Sequence, residues 1–171
     1  MKYCTKCAYP ENHPFGIIFD DGGVCSGCNV HYEKDTLDWN ERKNKLHKLL
    51  DRYKNTSKNN YDCIIPVSGG KDSTRQALWV RDRLKMNPLL VCCSYTPYRM
   101  SEVGANNLDN LISLGFDVVI ATPAPKTATR LSRQSFFDFG NVCKSSELAL
   151  FSSVPRLAID LDVKLIFWGE N

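Results

Sequence analysis

Residues 61–74 read Tyr61-Asp62-Cys63-Ile64-Ile65-Pro66-Val67-Ser68-Gly69-Gly70-Lys71-Asp72-Ser73-Thr74, and they decide the fold. Tyr61–Val67 is a short apolar run, the pattern of a strand covered on both faces. Pro66 cannot donate to a ladder, so it belongs at the end of that strand. Ser68–Ser73 interrupts the run with two glycines. From Thr74 to Lys85 the apolar residues Ala77, Val80 and Leu84 recur at helical spacing, and Asn87-Pro88 stops them.

Downstream the same alternation continues. Leu89–Tyr95 is a second strand, and Ser101–Leu114 a second helix capped by Gly115. Asp117–Thr122 is a third strand. Lys126–Phe139 and Ser145–Asp160 have helical patterns, the latter predicted to break or kink at Pro155. Val163–Trp168 is a fourth strand. This order predicts an α/β fold over residues 61–171, a doubly wound and mostly parallel sheet with helices on both faces. Upstream, residues 36–60 form a connecting helix and a polar linker, Asn55–Asn60. Asp38 followed by Glu41 marks the helix start. Its stripe of Trp39, Leu46, Leu49, Leu50 and Tyr53 suits a packing or dimer face.

The composition fits such a protein. The chain has 171 residues, 43% apolar and 24% charged, which excludes a disordered or fibrous class. A formal net charge of +3 does not select nucleic acid or an anionic membrane as partner. The longest apolar runs, such as Leu89–Cys93 and Leu165–Trp168, fall far short of the ~18 residues of a membrane span. The N-terminus has no apolar signal core, so the expected compartment is the cytoplasm. There, eight cysteines are expected as metal ligands, reactive thiols or core residues rather than disulfides.

Residues 1–35 hold four of those cysteines and little periodicity. Cys4-Thr5-Lys6-Cys7 and Cys25-Ser26-Gly27-Cys28 are two Cys-x-x-Cys knuckles separated by 17 residues. Cys4, Cys7, Cys25 and Cys28 can complete a tetrahedron with no open position, which predicts structural Zn²⁺. The metal would fold a zinc-ribbon-like module over residues 1–35. Ile17–Val24 reads as a hairpin turning at Asp21-Gly22-Gly23. Zinc knuckles also bind nucleic acid, but only Lys2, Lys6 and Lys34 lie close by, which disfavours that partner.

Ser68–Thr74 sits where α/β folds bind phosphates. Glycines at 69 and 70 let the backbone approach an anion, and the next helix presents N–H groups and its positive end. Ser68, Ser73 and Thr74 add hydroxyls, and Lys71 adds a charge. Ile65 and Asp72 stand where a Walker A loop needs Gly and Ser or Thr.

Ser68–Ser73 resembles the SGGxDS loop of the N-type ATP pyrophosphatases, the PP-loop superfamily with an adenine-nucleotide α-hydrolase-like fold. Tyr3–Cys7, Cys25–Cys28, Asp38-Trp39, Tyr61–Ser73, Asn87–Leu90, Asn106–Leu111 and Phe167–Asn171 together resemble the N-acetyl sugar amidotransferases of surface-polysaccharide, lipopolysaccharide and pseudaminic-acid pathways. That resemblance implies conversion of a sugar acetamido group to an acetamidino group. ATP with Mg²⁺ activates the amide oxygen as an adenylate, and ammonia from a glutaminase and cyclase-type partner displaces AMP. It implies that Ser68, Gly69, Gly70, Lys71, Asp72, Ser73 and Thr74 bind ATP and its pyrophosphate, with Lys71 and Asp72 catalytic. Lys126, Gly169, Glu170 and Asn171 are further candidates for nucleotide or substrate. Members of the family are about twice as long, so a further half with the last strand and much of the sugar site is expected, or else a truncated nucleotide-binding fragment without catalysis.

The remaining residues divide by chemistry. Cys143 is expected as a small buried side chain; as a nucleophile it would instead indicate PP-loop sulfur transfer to tRNA or a small molecule. The family often has Cys-x-x-Cys here, whereas this chain has Cys143-Lys144-Ser145-Ser146. Cys63, Cys92 and Cys93 are expected in the core. Lys126, Arg130 and Arg133 share one helical face that suits either an anion or solvent. His13, His31 and His47 have no ligand spacing. Homo-oligomerisation is compatible with the Trp39–Tyr53 stripe.

Overall fold

A computed structural model describes residues 1–14, 16–95 and 100–169 of the chain. Two compact units result, Met1–Leu46 and His47–Asn171. The first contains α1 (Ser26–Glu33) and a short 3₁₀ turn, Lys34–Thr36. Helix α2 (Trp39–Leu50) spans the boundary. The second holds β1 (Cys63–Pro66), α3 (Lys71–Asp82), β2 (Pro88–Cys93), α4 (Glu102–Ser113), β3 (Val118–Ala121), α5 (Pro125–Phe139) and α6 (Lys144–Asp160). Among the described residues no helix is long and apolar enough to cross a membrane.

The three strands are parallel, in the order β1-β2-β3. Cys63 lies opposite Pro88, and Leu90 opposite Val118. The predicted fourth strand is reduced to one parallel bridge, Ile64 to Ile166, on the other side of β1. Ile64 donates to the Leu165 carbonyl and accepts from Phe167 N–H, both at 2.9 Å. The chain thus reverses its direction of travel across the sheet at β1. Right-handed crossovers place α3 and α4 on one face, and the return past β1 places α6 on the other.

Pleating sends alternate residues to those two faces. Ile64, Leu89 and Val91 pack with Val154, Ala158 and Val163 in one buried cluster. Each buried Val, Leu or Ile of the cluster contributes roughly 1.5–3 kcal/mol. Cys63, Ile65 and Leu90 point the other way and are also buried, as are Ala77 and Val80 of α3. Pro66 is the last residue of β1, and its missing N–H is on the side away from β2, as Ile64 N–H is; the ladder to β2 goes on past it through Val67 N–H to the Val91 carbonyl at 2.9 Å.

Several elements differ from the sequence pattern. Helix α3 starts at Lys71, not Thr74, because Gly70 in an extended conformation is its N-cap. Helix α2 is shorter than the 36–54 pattern; Asp38 Oδ1 accepts from Asn40 and Glu41 N–H at 2.9 and 3.0 Å and fixes its start. Helix α6 runs through Pro155 without interruption. The carbonyl that loses its donor there belongs to the exposed Phe151. Ser152 and Ser153 hydroxyls donate to the neighbouring Ala149 and Leu150 carbonyls.

Candidate functional site

Two sites stand out, one in each unit. In the first unit the sulfurs of Cys4, Cys7, Cys25 and Cys28 all lie within 4.8 Å of one another. Cys4 Sγ is 3.9 Å from Cys28 Sγ, and Cys7 Sγ is 3.7 Å from Cys25 Sγ. A tetrahedron with Zn–S arms of about 2.3 Å has edges of about 3.8 Å, so the four thiols fit a closed metal site.

Local structure sets this geometry. Thr5 N–H donates to the Gly23 carbonyl at 3.1 Å and ties the two knuckles together. Gly23 has φ +75°, and a Cβ there would meet Thr5 Cγ2 at 3.1 Å. The expected hairpin turns at Asp21-Gly22-Gly23 and is short, with one antiparallel bridge, Phe19 to Cys25, flanked by Asp20 N–H to the Val24 carbonyl and Ser26 N–H to the Ile18 carbonyl. Asp20 closes it: its carboxylate accepts from Val24 N–H at 2.9 Å and its carbonyl from Gly23 N–H at 2.9 Å.

Backbone N–H groups prepare the sulfurs for negative charge. Lys6 and Cys25 donate to Cys4 Sγ at 3.4 and 3.3 Å, and Cys28 donates to Cys25 Sγ at 3.4 Å. Burial opposes ionisation of Cys4, yet N–H donation from Cys7, Cys25 and Lys6 brings its thiol down to about 6. Hydrogen bonding with Cys7, and then burial, push the Cys28 thiol up to about 12. Four thiolates at these distances require a cation at their centre. The cluster could therefore hold one metal ion, in a structural rather than catalytic role.

The second site opens at the carboxyl ends of β1 and β2. There the loop Ser68–Gly70 leads into α3. Gly69 has φ +76°, and an added Cβ would lie 2.8 Å from Asn107 Cβ and 2.9 Å from its carbonyl carbon. Glycine is required there on both grounds. Helix α3 has no side-chain cap, so the N–H groups of Lys71, Asp72 and Ser73 have no protein acceptor among the described residues. The first intrahelical bond is Thr74 N–H to the Gly70 carbonyl, 3.0 Å. A bare helix N-terminus beside two glycines can hold a phosphate-like anion.

The hydroxyls are used differently from the expectation that all three donate outward. Ser73 Oγ donates to the Gly70 carbonyl at 3.2 Å, and Thr74 Oγ1 to the Gly69 carbonyl at 3.3 Å. They brace the loop from within. Ser68 Oγ accepts from Gly70 N–H at 3.4 Å.

A cavity of about 1050 Å³ adjoins the loop. Ser68, Asp72, Ser73 and Gly169 line it, together with residues that sequence reasoning missed: Arg75, Gln76, Trp79, Tyr95, Met100, Leu150 and Trp168. Asp72, Gln76 and Trp79 are spaced i, i+4 and i+7 and share one face of α3, a signal available in the sequence. Gln76 Nε2 donates to the Trp168 carbonyl at 3.0 Å, linking α3 to the segment beyond β1. Its Oε1, like the hydroxyl of Tyr95, is buried without a partner among the described residues. The position matches the general rule for open α/β sheets, in which ligands bind at the carboxyl ends of strands where the strand order reverses.

Other candidates fall elsewhere. Lys71 is exposed beside the loop and does not line the cavity, nor do Gly69, Gly70 and Thr74. Lys126, Arg130 and Arg133 are exposed on α5. Cys143 corrects the expectation of a buried side chain: it is exposed at the start of α6 and absent from the cavity lining. Cys93 is half-buried and lines the cavity with Cys92, because β2 ends there. Cys63 is core, its thiol pushed by burial up to about 12. Glu170 and Asn171 lie outside the described residues.

No family model matches the chain. Among curated proteins, an uncharacterized protein of Methanocaldococcus jannaschii is 23% identical over 168 residues, which cover 98% of this chain and 58% of the relative. Among solved structures, the NH₃-dependent NAD synthetase from Campylobacter jejuni subsp. jejuni, in complex with the nitrate ion, aligns with a TM-score of 0.53 at 14% identity. That alignment covers 79% of this chain and 58% of the synthetase. The chain spans less than two thirds of the length of either protein. At this identity the likeness is one of fold: a parallel sheet flanked by helices, similar to that of an NH₃-dependent NAD synthetase.

Proposed function

We propose that the chain is the ATP-using part of an AMP-forming amidotransferase acting on an N-acetylated sugar. The observation that carries this reading is the uncapped start of α3 behind Gly69 and Gly70, open to the large cavity. The fold likeness to a synthetase named for its dependence on ammonia supports it.

An amide is a poor electrophile, and its oxygen is a poor leaving group. In the proposed reaction the amide oxygen attacks the α-phosphorus of ATP, and pyrophosphate leaves. Ammonia then adds to the activated carbon and AMP departs, leaving the amidine. The N–H groups of Lys71, Asp72 and Ser73, and the Lys71 ammonium, stabilise the charge that grows on pyrophosphate. Asp72 is the carboxylate available to a phosphate-bound Mg²⁺, which would neutralise part of that charge. Ammonia would come from a glutaminase-type partner. The four-cysteine cluster holds zinc in this reading and stabilises its own unit.

Product analysis tests the proposal. The chain is incubated with Mg-ATP, ammonium and a panel of N-acetylated sugars. AMP and pyrophosphate that depend on both sugar and ammonium are the expected result. ADP and phosphate would overturn it. Loss of ATP binding in Lys71→Ala, measured by calorimetry, would connect the loop to the nucleotide independently of turnover.

A further inference from the structure

Helix α3 begins with charges that a helix start disfavours. Its positive end suits acids, yet Lys71 stands at its first position and Arg75 one turn on. These two cations are spaced i, i+4, where like charges repel. Asp72 and Arg75 are spaced i, i+3, where opposite charges can pair. Among the described residues, however, none of the three takes part in an ion pair. The start of the helix thus keeps two cations and a positive dipole end open at one place. An incoming anion relieves all three.

The two cations stand on different sides of the cavity rim. Arg75 lines the cavity, where Asp72 is the other charged residue of the described lining, and Lys71 is exposed outside it. The Cα of Arg75 is about 3 Å along the helix axis from that of Ser73. Long side chains on a helix lean toward its N-terminus. A guanidinium at position 75 can therefore reach back to the level of the bare N–H groups of Lys71, Asp72 and Ser73. Beyond Arg75 the same wall continues into Trp79, and Leu150 and Trp168 add apolar surface. A nucleoside needs such a wall for its base. A pyrophosphate needs only donors and positive charge.

This placement sorts the parts of ATP. We infer that Arg75 binds, from inside the cavity, the phosphoryl group that stays with the nucleoside, while Lys71 serves the pyrophosphate that leaves. The inference rests on the ATP chemistry proposed above. In that step the bond from the amide oxygen to the α-phosphorus forms. The bond from the α-phosphorus to the bridging oxygen breaks, and its electron pair leaves with pyrophosphate. The α-phosphoryl oxygens keep their charge throughout and end on AMP. A guanidinium fork matches two such oxygens and stays protonated at any working pH.

Calorimetry on the full chain with Mg²⁺ tests this, with AMP and inorganic pyrophosphate as separate probes. Arg75→Met keeps the apolar stem and loses the fork. It is expected to weaken AMP roughly tenfold or more, as loss of a charge-assisted hydrogen bond does, and pyrophosphate less than about threefold. Lys71→Ala should weaken pyrophosphate more than AMP. No described residue pairs with Arg75, so far-UV circular dichroism should not change. If Arg75→Met fails to fold, Arg75→Gln decides. An Arg75 variant that binds AMP as tightly as wild type overturns the inference and leaves the ATP reading standing. Equal losses for the two probes do the same. A wild-type chain that binds neither probe overturns the ATP reading, and this inference with it.

Discussion

Gly69 and Asn107 approach so closely that no side chain fits between them. A methyl group on Gly69 would lie 2.8 Å from Asn107 Cβ and 3.0 Å from its carbonyl oxygen. A left-handed backbone adds about 1–2 kcal/mol for any residue with a Cβ. Gly69→Ala is therefore expected to lower stability by at least about 2 kcal/mol in urea unfolding and to displace the loop. Asn107→Ala should not rescue it, because the nearest atoms are the Asn107 Cβ and backbone. Full rescue would show that the contact is not the cause.

Asp62 supports the same strand from its other end. One carboxylate oxygen accepts from Asn55 N–H at 2.6 Å and the other from Asn87 N–H at 2.8 Å. The residue is buried. Asp62→Ala strands both donors, each at about 1–3 kcal/mol. Asp62→Asn keeps one acceptor and should fall between wild type and Ala. Equal losses for the two variants in denaturant titrations would contradict this account.

Alkaline pH probes a third contact. Tyr61 donates its hydroxyl to Asp117 Oδ2 at 2.8 Å. That bond first, and burial second, raise the Tyr61 pKa. The neutral phenol is favoured in the folded state, so its contribution is complete below the ordinary value near 10 and is lost as pH rises through the higher folded value. Melting curves from pH 9 to 11 should fall less steeply in Tyr61→Phe.

Metal removal should act on one unit. Elemental analysis is expected to find one zinc per chain. Chelation should abolish hydrogen-exchange protection in α1 while β1 and β2 remain protected. Loss of protection in the sheet at the same chelator concentration would contradict the division into two units.

Thiol labelling distinguishes the remaining cysteines. Cys143 is exposed, Cys93 half-buried, and Cys63 and Cys92 buried. Burial raises the pKa of both buried thiols. A maleimide at neutral pH should modify Cys143 first and Cys63 only on unfolding. Saturating Mg-ATP should slow modification of Cys93, which lines the cavity. Unchanged labelling of Cys93 would place the nucleotide elsewhere.

The order of the first three strands and their helices was legible because each apolar run ends at a turn signal, and β1 and β2 are covered on both faces; the fourth run, Val163–Trp168, keeps only one bridge. The four ligating cysteines and the glycine loop were legible because their chemistry depends on local spacing. Helix α1 was hidden, because Ser26–Glu33 has no buried residue and takes its cap from the Cys25 sulfur. The cavity walls were hidden because Tyr95, Met100, Leu150 and Trp168 come together only through the crossovers. Cys143 misled because, with no electropositive niche in view, a thiol between two helical patterns reads as a small core residue, while its position in the turn before α6 leaves it in solvent.

The bridge between Ile64 and Ile166 also has a temporal side. Strand β1 leaves the ribosome about 100 residues before the segment that borders it on that side. Until then Ile64 lacks partners for its outer backbone groups, and the cluster it shares with Val154, Ala158 and Val163 cannot close. Until that segment arrives, the growing chain carries an unprotected strand edge, the kind of edge that invites pairing with another chain.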